Sequence, residues 1–261
     1  MNPTMPAAAG ARPLGWGRWF YVSMAVVCAL VAWIGFSFTF WAPIARGTFN
    51  SPPVVGVHAA LFFAWTILFI VQTTLAARHR IDVHRALGLV GISLATAMLF
   101  LGLMVATGNV KHWLGTPSEG AARVQAVVPV AAITTFAGLF GAAIANIRRP
   151  EWHKRFMLLA TIALLPPAVA RYLFVAFAHA PPGMRPGLTP PPATGVLFVP
   201  AFIADLLVIA PLVFDWRTRA RPHPAYLWGG GAMLIVQLLR APISATPAWR
   251  WITDWLLKFI G

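Results

Sequence analysis

The chain has 261 residues, 59% of them apolar, and only 26 charged side chains, 20 basic and 6 acidic. That is 10% charged, where a soluble domain carries about 25%, so a soluble globular protein, a disordered chain and a collagen-like chain are excluded. The single cysteine, Cys28, lies in an apolar run and excludes a disulfide scaffold, a CxxCH haem attachment and a thiolate metal cage.

Crossing about 30 Å of hydrocarbon takes roughly 20 apolar residues as a helix, and the chain supplies such runs in succession. The expected fold is an all-α integral membrane bundle of seven transmembrane helices, one leading helix plus three hairpins. The spans are read near 19–41, 54–77, 84–107, 123–147, 153–178, 195–216 and 224–242. The first apolar run is too long for a signal-peptide core and is read as a retained helix. Three regions follow: a cytoplasmic tail over 1–18, the transmembrane domain over 19–242, and an amphipathic tail over 243–261 on the outer face.

Short loops rich in Lys and Arg stay in the cytoplasm. Arg12, Arg18, Arg78, Arg80, Arg85, Arg148, Arg149, Lys154, Arg155, Arg217, Arg219 and Arg221, twelve of the twenty basic residues, share one set of span ends. Arg46, Lys111, Arg123 and Arg185 are left for the other set. This orients the amino terminus to the cytoplasm and the carboxyl end to the periplasm. The net charge of +14 therefore reads as a topology signal, and the expected partner is the lipid bilayer and not nucleic acid. In the tail, Trp249, Ile252, Leu256 and Phe259 fall on one helical face, while Arg250, Asp254 and Lys258 step by four along another and can pair. The tail is expected to lie in the outer interface.

A repeat runs through the basic ends. Arg80-Ile81-Asp82-Val83-His84-Arg85 aligns with Arg149-Pro150-Glu151-Trp152-His153-Lys154, and Arg219 to His223 keeps the Arg and His but not the acid. One reading needs no chemistry: Asp82 and Glu151 cap the helices that begin there, and their basic neighbours hold the turns in place. The other takes His84 and His153, at equivalent positions on the third and fifth spans, as a facing pair able to hold a metal or a haem. All seven histidines fall near span boundaries: His79, His84, His153 and His223 at the inner side, His58, His112 and His179 at the outer. His58 heads a stripe of Phe62, Trp65, Phe69 and Gln72 along the second span.

Arg171 and Asp205 lie well inside their spans, where an ionisable group costs about 2.5 to 3.5 kcal/mol on insertion scales. They sit roughly seven and about ten residues from the outer ends of their spans, so at about 1.5 Å per residue their depths differ by about 5 Å. A buried Arg171–Asp205 pair is expected, serving either helix register or a substrate or proton path. Pro166 and Pro167 break the same span and free backbone carbonyls at mid-membrane. A cavity there would be lined by Arg171, Tyr172, Asp205, Gln72 and Gln237. The small residues Gly88, Gly91, Ala95 and Gly102 let the third span pack closely, and Gly229, Gly230 and Gly231 mark a close crossing in the seventh.

The segments His84 to Gly88, Arg155 to Thr161 and His223 to Gly230, together with Asp205, Asp215, Arg240, Thr246 and Trp249, resemble a group of uncharacterised bacterial polytopic membrane proteins. The resemblance spans about residues 55–255 and implies an inner-membrane location, but it carries no activity. The histidine placement also resembles that of membrane cytochromes of the b type with two haems. It implies haem b as cofactor, His58, His84 and His153 as ligands, and electron transfer with a quinone or another membrane redox partner. The alternatives are a transporter or small-molecule binder using Arg171, Asp205 and Tyr172, and an accessory subunit of a membrane complex. No GxSxG elbow, HExxH zinc helix or phosphate loop is present.

Overall fold

A computed structural model describes residues 17–177 and 198–260. Arg12, His179, Arg185 and all but the last two residues of the 1–18 tail lie outside the described residues. Those described form helices and no strand. The order is α1 (Phe20–Gly35), a π-helical turn (Ser37–Trp41), α2 (Ala42–Ala45), α3 (Pro53–Ala77), α4 (Ile81–Trp113), α5 (Glu119–Gln125), α6 (Val127–Ala145), α7 (Pro150–Ala163), α8 (Pro166–Phe177), α9 (Phe198–Asp205), a 3-10 turn (Leu206–Val208), α10 (Ile209–Arg219), α11 (Pro224–Ser244) and α12 (Pro247–Phe259).

Five helical stretches are long and apolar enough to cross a membrane: Pro53–Ala77, Ile81–Trp113, Glu119–Ala145, Pro150–Phe177 and Phe198–Arg219. A sixth is Phe20–Gly35 with Ser37–Ala45, bent by 45° at the break between them. Pro224–Ser244, at 21 residues, has the length of a span but is not among them. Gln237, Arg240 and three successive glycines dilute its apolar surface.

The stretches Pro150–Phe177 and Phe198–Arg219 are interrupted, and each interruption has a local cause. Pro166 and Pro167 have no amide hydrogen, so the fifth span stops at Ala163 and restarts as α8. There Leu164 and Leu165 donate to the carbonyls three residues back. Between α9 and α10 the chain tightens to a 3-10 turn. α4 runs unbroken for 33 residues, about 50 Å at about 1.5 Å per residue, with Gly91, Ala95 and Gly102 buried where it packs on α3 and α6. The stripe Trp65 and Phe69 of α3 turns inward, and Trp65 Nε1 donates to Thr161 Oγ1 at 3.3 Å.

Glycine permits a close approach at two crossings. A Cβ at Gly229 would stand 2.6 Å from Leu159 Cδ1, where α11 crosses α7, and one at Gly35 would collide with the backbone carbonyl of Ala168 in α8. Gly230 and Gly231 face open space, so only one of the three consecutive glycines makes the expected close approach.

The turns at Arg78–Arg80, Asn146–Arg149 and Ala220–His223 gather at one end of the bundle, together with the start of α1. The links between them are side-chain contacts described below. α12 packs at the opposite end, with Trp249, Thr253 and Leu256 buried against Val110, Ala126 and Val127. Trp249 Nε1 donates to Arg123 O at 2.7 Å, and Arg123 Nη1 reaches Asp254 Oδ1 at 2.6 Å and Thr253 Oγ1 at 3.0 Å. Asp254 therefore pairs with Arg123 and not with Arg250 or Lys258. An acid on the inner edge of an amphipathic helix meets the bundle before it meets its own neighbours. Phe259 is exposed and leaves the face formed by Trp249, Ile252 and Leu256.

Candidate functional site

The repeat places His84 in the first turn of α4 and His153 in the first turn of α7. Their rings lie 6.3 Å apart, centre to centre, and nearly perpendicular. Each Nδ1 meets a carbonyl of the preceding helix: His84 with Gln72 O at 3.3 Å, His153 with Ala143 O at 2.9 Å. A carbonyl can only accept, so Nδ1 is the donor in both rings, and in the neutral form of either ring the lone pair is on Nε2. Gln72 returns the contact by donating Nε2 to His84 O at 3.2 Å. Its own Oε1 is buried and has no hydrogen-bond partner among the described residues.

Beside the histidines lies a charge network that sequence reasoning did not assemble. Arg155 is fully buried and grips Asp215, also fully buried, through Nε at 2.9 Å and through Nη2. Its remaining nitrogen, Nη1, donates to Glu151 O at 2.8 Å and to Glu151 Oε2 at 2.6 Å. Glu151 also accepts from Lys154 Nζ at 2.7 Å and from Arg219 Nη2. His223 N donates to Asp215 at 3.1 Å, and Ala225 N donates to His223 Nδ1 at 3.1 Å.

These contacts join the start of α7, the end of α10 and the start of α11. Tyr21 of α1 completes the group, its hydroxyl 3.3 Å from that of Tyr226. Glu151 thus serves as an ion-pair hub and makes no capping bond, whereas Asp82 is exposed and stands 3.9 Å from Arg80. The degraded third copy of the repeat works by a different atom: where it lacks an acid, the His223 side chain caps α11. His223 lies outside the spans, and its imidazole is held below its ordinary value, chiefly by burial and then by the charges of Arg155 and Arg219.

Arg155 and Asp215 had a readable signal. With six acids in the chain, an aspartate at the end of a span needs a cation, and the basic ends supply several. What was missing was which one, because the partners are 60 residues apart.

The expected Arg171–Asp205 pair does not form. Arg171 donates to Pro167 O at 3.1 Å and lies over the Phe36 ring, while Asp205 accepts from Gln237 Nε2 at 3.2 Å. α8 and α9 do pack together, as the pair would have required. Equal depth is not enough: the proline break before α8 and the 3-10 turn after Asp205 leave the two side chains with different partners. Tyr172 is 44% exposed and points away from the bundle interior. The break does hold a cavity, of about 30 Å³, lined in part by Pro166, Pro167, Gln237 and Arg240. It has room for ordered water but not for a substrate, and of the expected lining only Gln237 is present. His58 is at the opposite end of the bundle from His84 and His153; among the described residues the only ring packed on it is that of Phe62, 4.2 Å away.

No known protein family, curated protein or solved structure matches the chain. Fold and site together define an all-helical protein with five or six helices able to cross a membrane and a polar cluster of histidine, arginine and acid at one end.

Proposed function

We propose that the chain is a seven-span protein of the bacterial inner membrane that binds haem b through His84 and His153 and passes electrons to a quinone or another membrane redox partner. The observation that carries this reading is the 6.3 Å approach of two imidazoles whose Nδ1 atoms are both bound to carbonyls. A metal-ligating histidine characteristically donates its other nitrogen in this way, which holds the ring and leaves Nε2 free to ligate.

The number of ligands favours haem over a bare ion. A structural or catalytic zinc takes three or four protein ligands, and the described residues contain no group of three His, Cys, Asp or Glu placed to hold a metal. A haem iron needs only axial ligands from the protein, and the group would supply one-electron redox chemistry. The unsatisfied Oε1 of Gln72 marks a place beside the pair where a further polar group is wanted.

Seven spans follow from counting α11 with the six apolar stretches, since its polar residues Gln237 and Arg240 are buried inside the bundle. The three arginine-rich turns at one end are then cytoplasmic, the carboxyl end is periplasmic and α12 lies in the outer interface.

The test is the absorption spectrum, oxidised and dithionite-reduced, of protein purified in mild detergent from cells supplied with haem precursor. A Soret peak with sharp reduced bands is expected, and it should vanish in His84→Asn and in His153→Asn. Asparagine can still donate to the carbonyl that Nδ1 meets, so the hairpins survive while the ligand atom is lost. A featureless spectrum from folded wild-type protein overturns the reading.

A further inference from the structure

At the end opposite the basic turns the first span breaks. Ser37–Trp41 winds as a π-helix between α1 and α2, a rare form that is frequent at functional sites. Aromatic rings surround the break: Phe63 lies 5.7 Å from Phe36 and 4.6 Å from Trp41. α8 packs against this turn and lays the Arg171 guanidinium over Phe36, 4.5 Å from the ring centre. A guanidinium carries five N–H donors. Among the described residues Arg171 makes one hydrogen bond, to Pro167 O, and no carboxylate is within ion-pairing distance of it.

Three more polar atoms at this break are buried and without a hydrogen-bond partner among the described residues: Thr39 Oγ1, Trp41 Nε1 and His58 Nδ1. His58 is stacked on Phe62, the neighbour in sequence of the Phe63 that packs on Phe36 and Trp41. Buried polar groups are nearly always satisfied, and a cation in a low-dielectric setting needs a counter-charge. One unmatched positive charge, a hydroxyl, an indole N–H and an imidazole amount to a set of donors awaiting oxygen acceptors that together bear a single negative charge.

We propose that this break binds a monocarboxylate. The acid sits on the Arg171 guanidinium, which suits a carboxylate in two-pronged geometry. His58, Thr39 and Trp41 satisfy its remaining lone pairs, and its hydrocarbon or aryl body lies among Phe36, Phe62 and Phe63. A single charge on the protein side selects a monoanion over a dianion. The site shares no residue with the His84–His153 pair proposed above to hold haem, and it stands or falls apart from that pair; His58, at the opposite end of the bundle, serves the acid here.

The test is equilibrium binding of radiolabelled benzoate and of radiolabelled oleate to the full chain in phosphatidylcholine nanodiscs, with benzyl alcohol as a neutral competitor. We expect saturable binding that the alcohol does not displace, weakened at least about tenfold in Arg171→Gln by loss of the charge-assisted pair, several-fold in His58→Phe, and to an intermediate degree in Arg171→Lys. Tighter binding of benzoate assigns the site to water-borne acids, and tighter binding of oleate to acids held in the membrane. Absence of saturable binding of both acids overturns the proposal, as does wild-type affinity in the variants. If Arg171→Gln fails to fold, His58→Phe decides alone, and unchanged affinity there is the overturning result.

Discussion

Arg155 and Asp215, sixty residues apart, are joined by two hydrogen bonds between side chains that are both sealed from solvent. Removing one partner of such a pair leaves the other charge buried and alone, at a cost of about 3 to 5 kcal/mol, whereas an apolar pair of similar volume is often neutral. Arg155→Met and Asp215→Leu should each lower the thermal midpoint in detergent sharply, and the double variant should recover most of the loss. Additive losses in the double variant would show that the two residues do not act as a pair.

Gly229 decides how closely α11 approaches α7. Gly229→Val drives side-chain atoms into Leu159, where even the first carbon is too close, and overpacking of this kind costs about 1 to 3 kcal/mol. Gly231→Ala, two residues further along α11 and in open space, should leave the melting curve where it is or raise it slightly. Equal effects at the two positions would refute the close crossing.

The hold on α12 rests on Arg123. Its side chain reaches Thr253 and Asp254 while its carbonyl accepts from Trp249. Arg123→Gln removes the ion pair and leaves the indole bond, so amide hydrogen exchange across 249–258 should accelerate by about tenfold, the equivalent of one charge-assisted bond, with α7 unchanged. Exchange that stays at the wild-type rate would mean that burial of Trp249 and Leu256 alone secures the helix.

His223 supplies an acid-side pH dependence. Its folded value is lowered, so on acidification the unfolded chain takes up its proton first, and the stability this residue contributes is present above about pH 6.5 and lost as pH falls through the folded value. Protonation also removes the acceptor that Nδ1 offers to Ala225 N. The thermal midpoint should drop between pH 7 and pH 5, and His223→Asn, which caps without titrating, should flatten that drop. A drop of the same size in the variant would assign it to other groups.

The apolar runs, the breaks between them and the arginine-rich turns were legible along the chain, because a helix in hydrocarbon must satisfy its own backbone and so writes its length and its ends into consecutive residues. The repeat was legible in the same way, and equivalent positions on two hairpins were enough to bring His84 beside His153. Partners between distant helices were not. Depth follows from counting residues, but the direction a side chain faces depends on the rotation of its helix. That rotation is reset at Leu164–Leu165 and at Leu206–Val208. Arg171 and Asp205 therefore share a depth without sharing a contact, and Asp215 finds Arg155 through a packing of α7, α10 and α11 that no local pattern encodes.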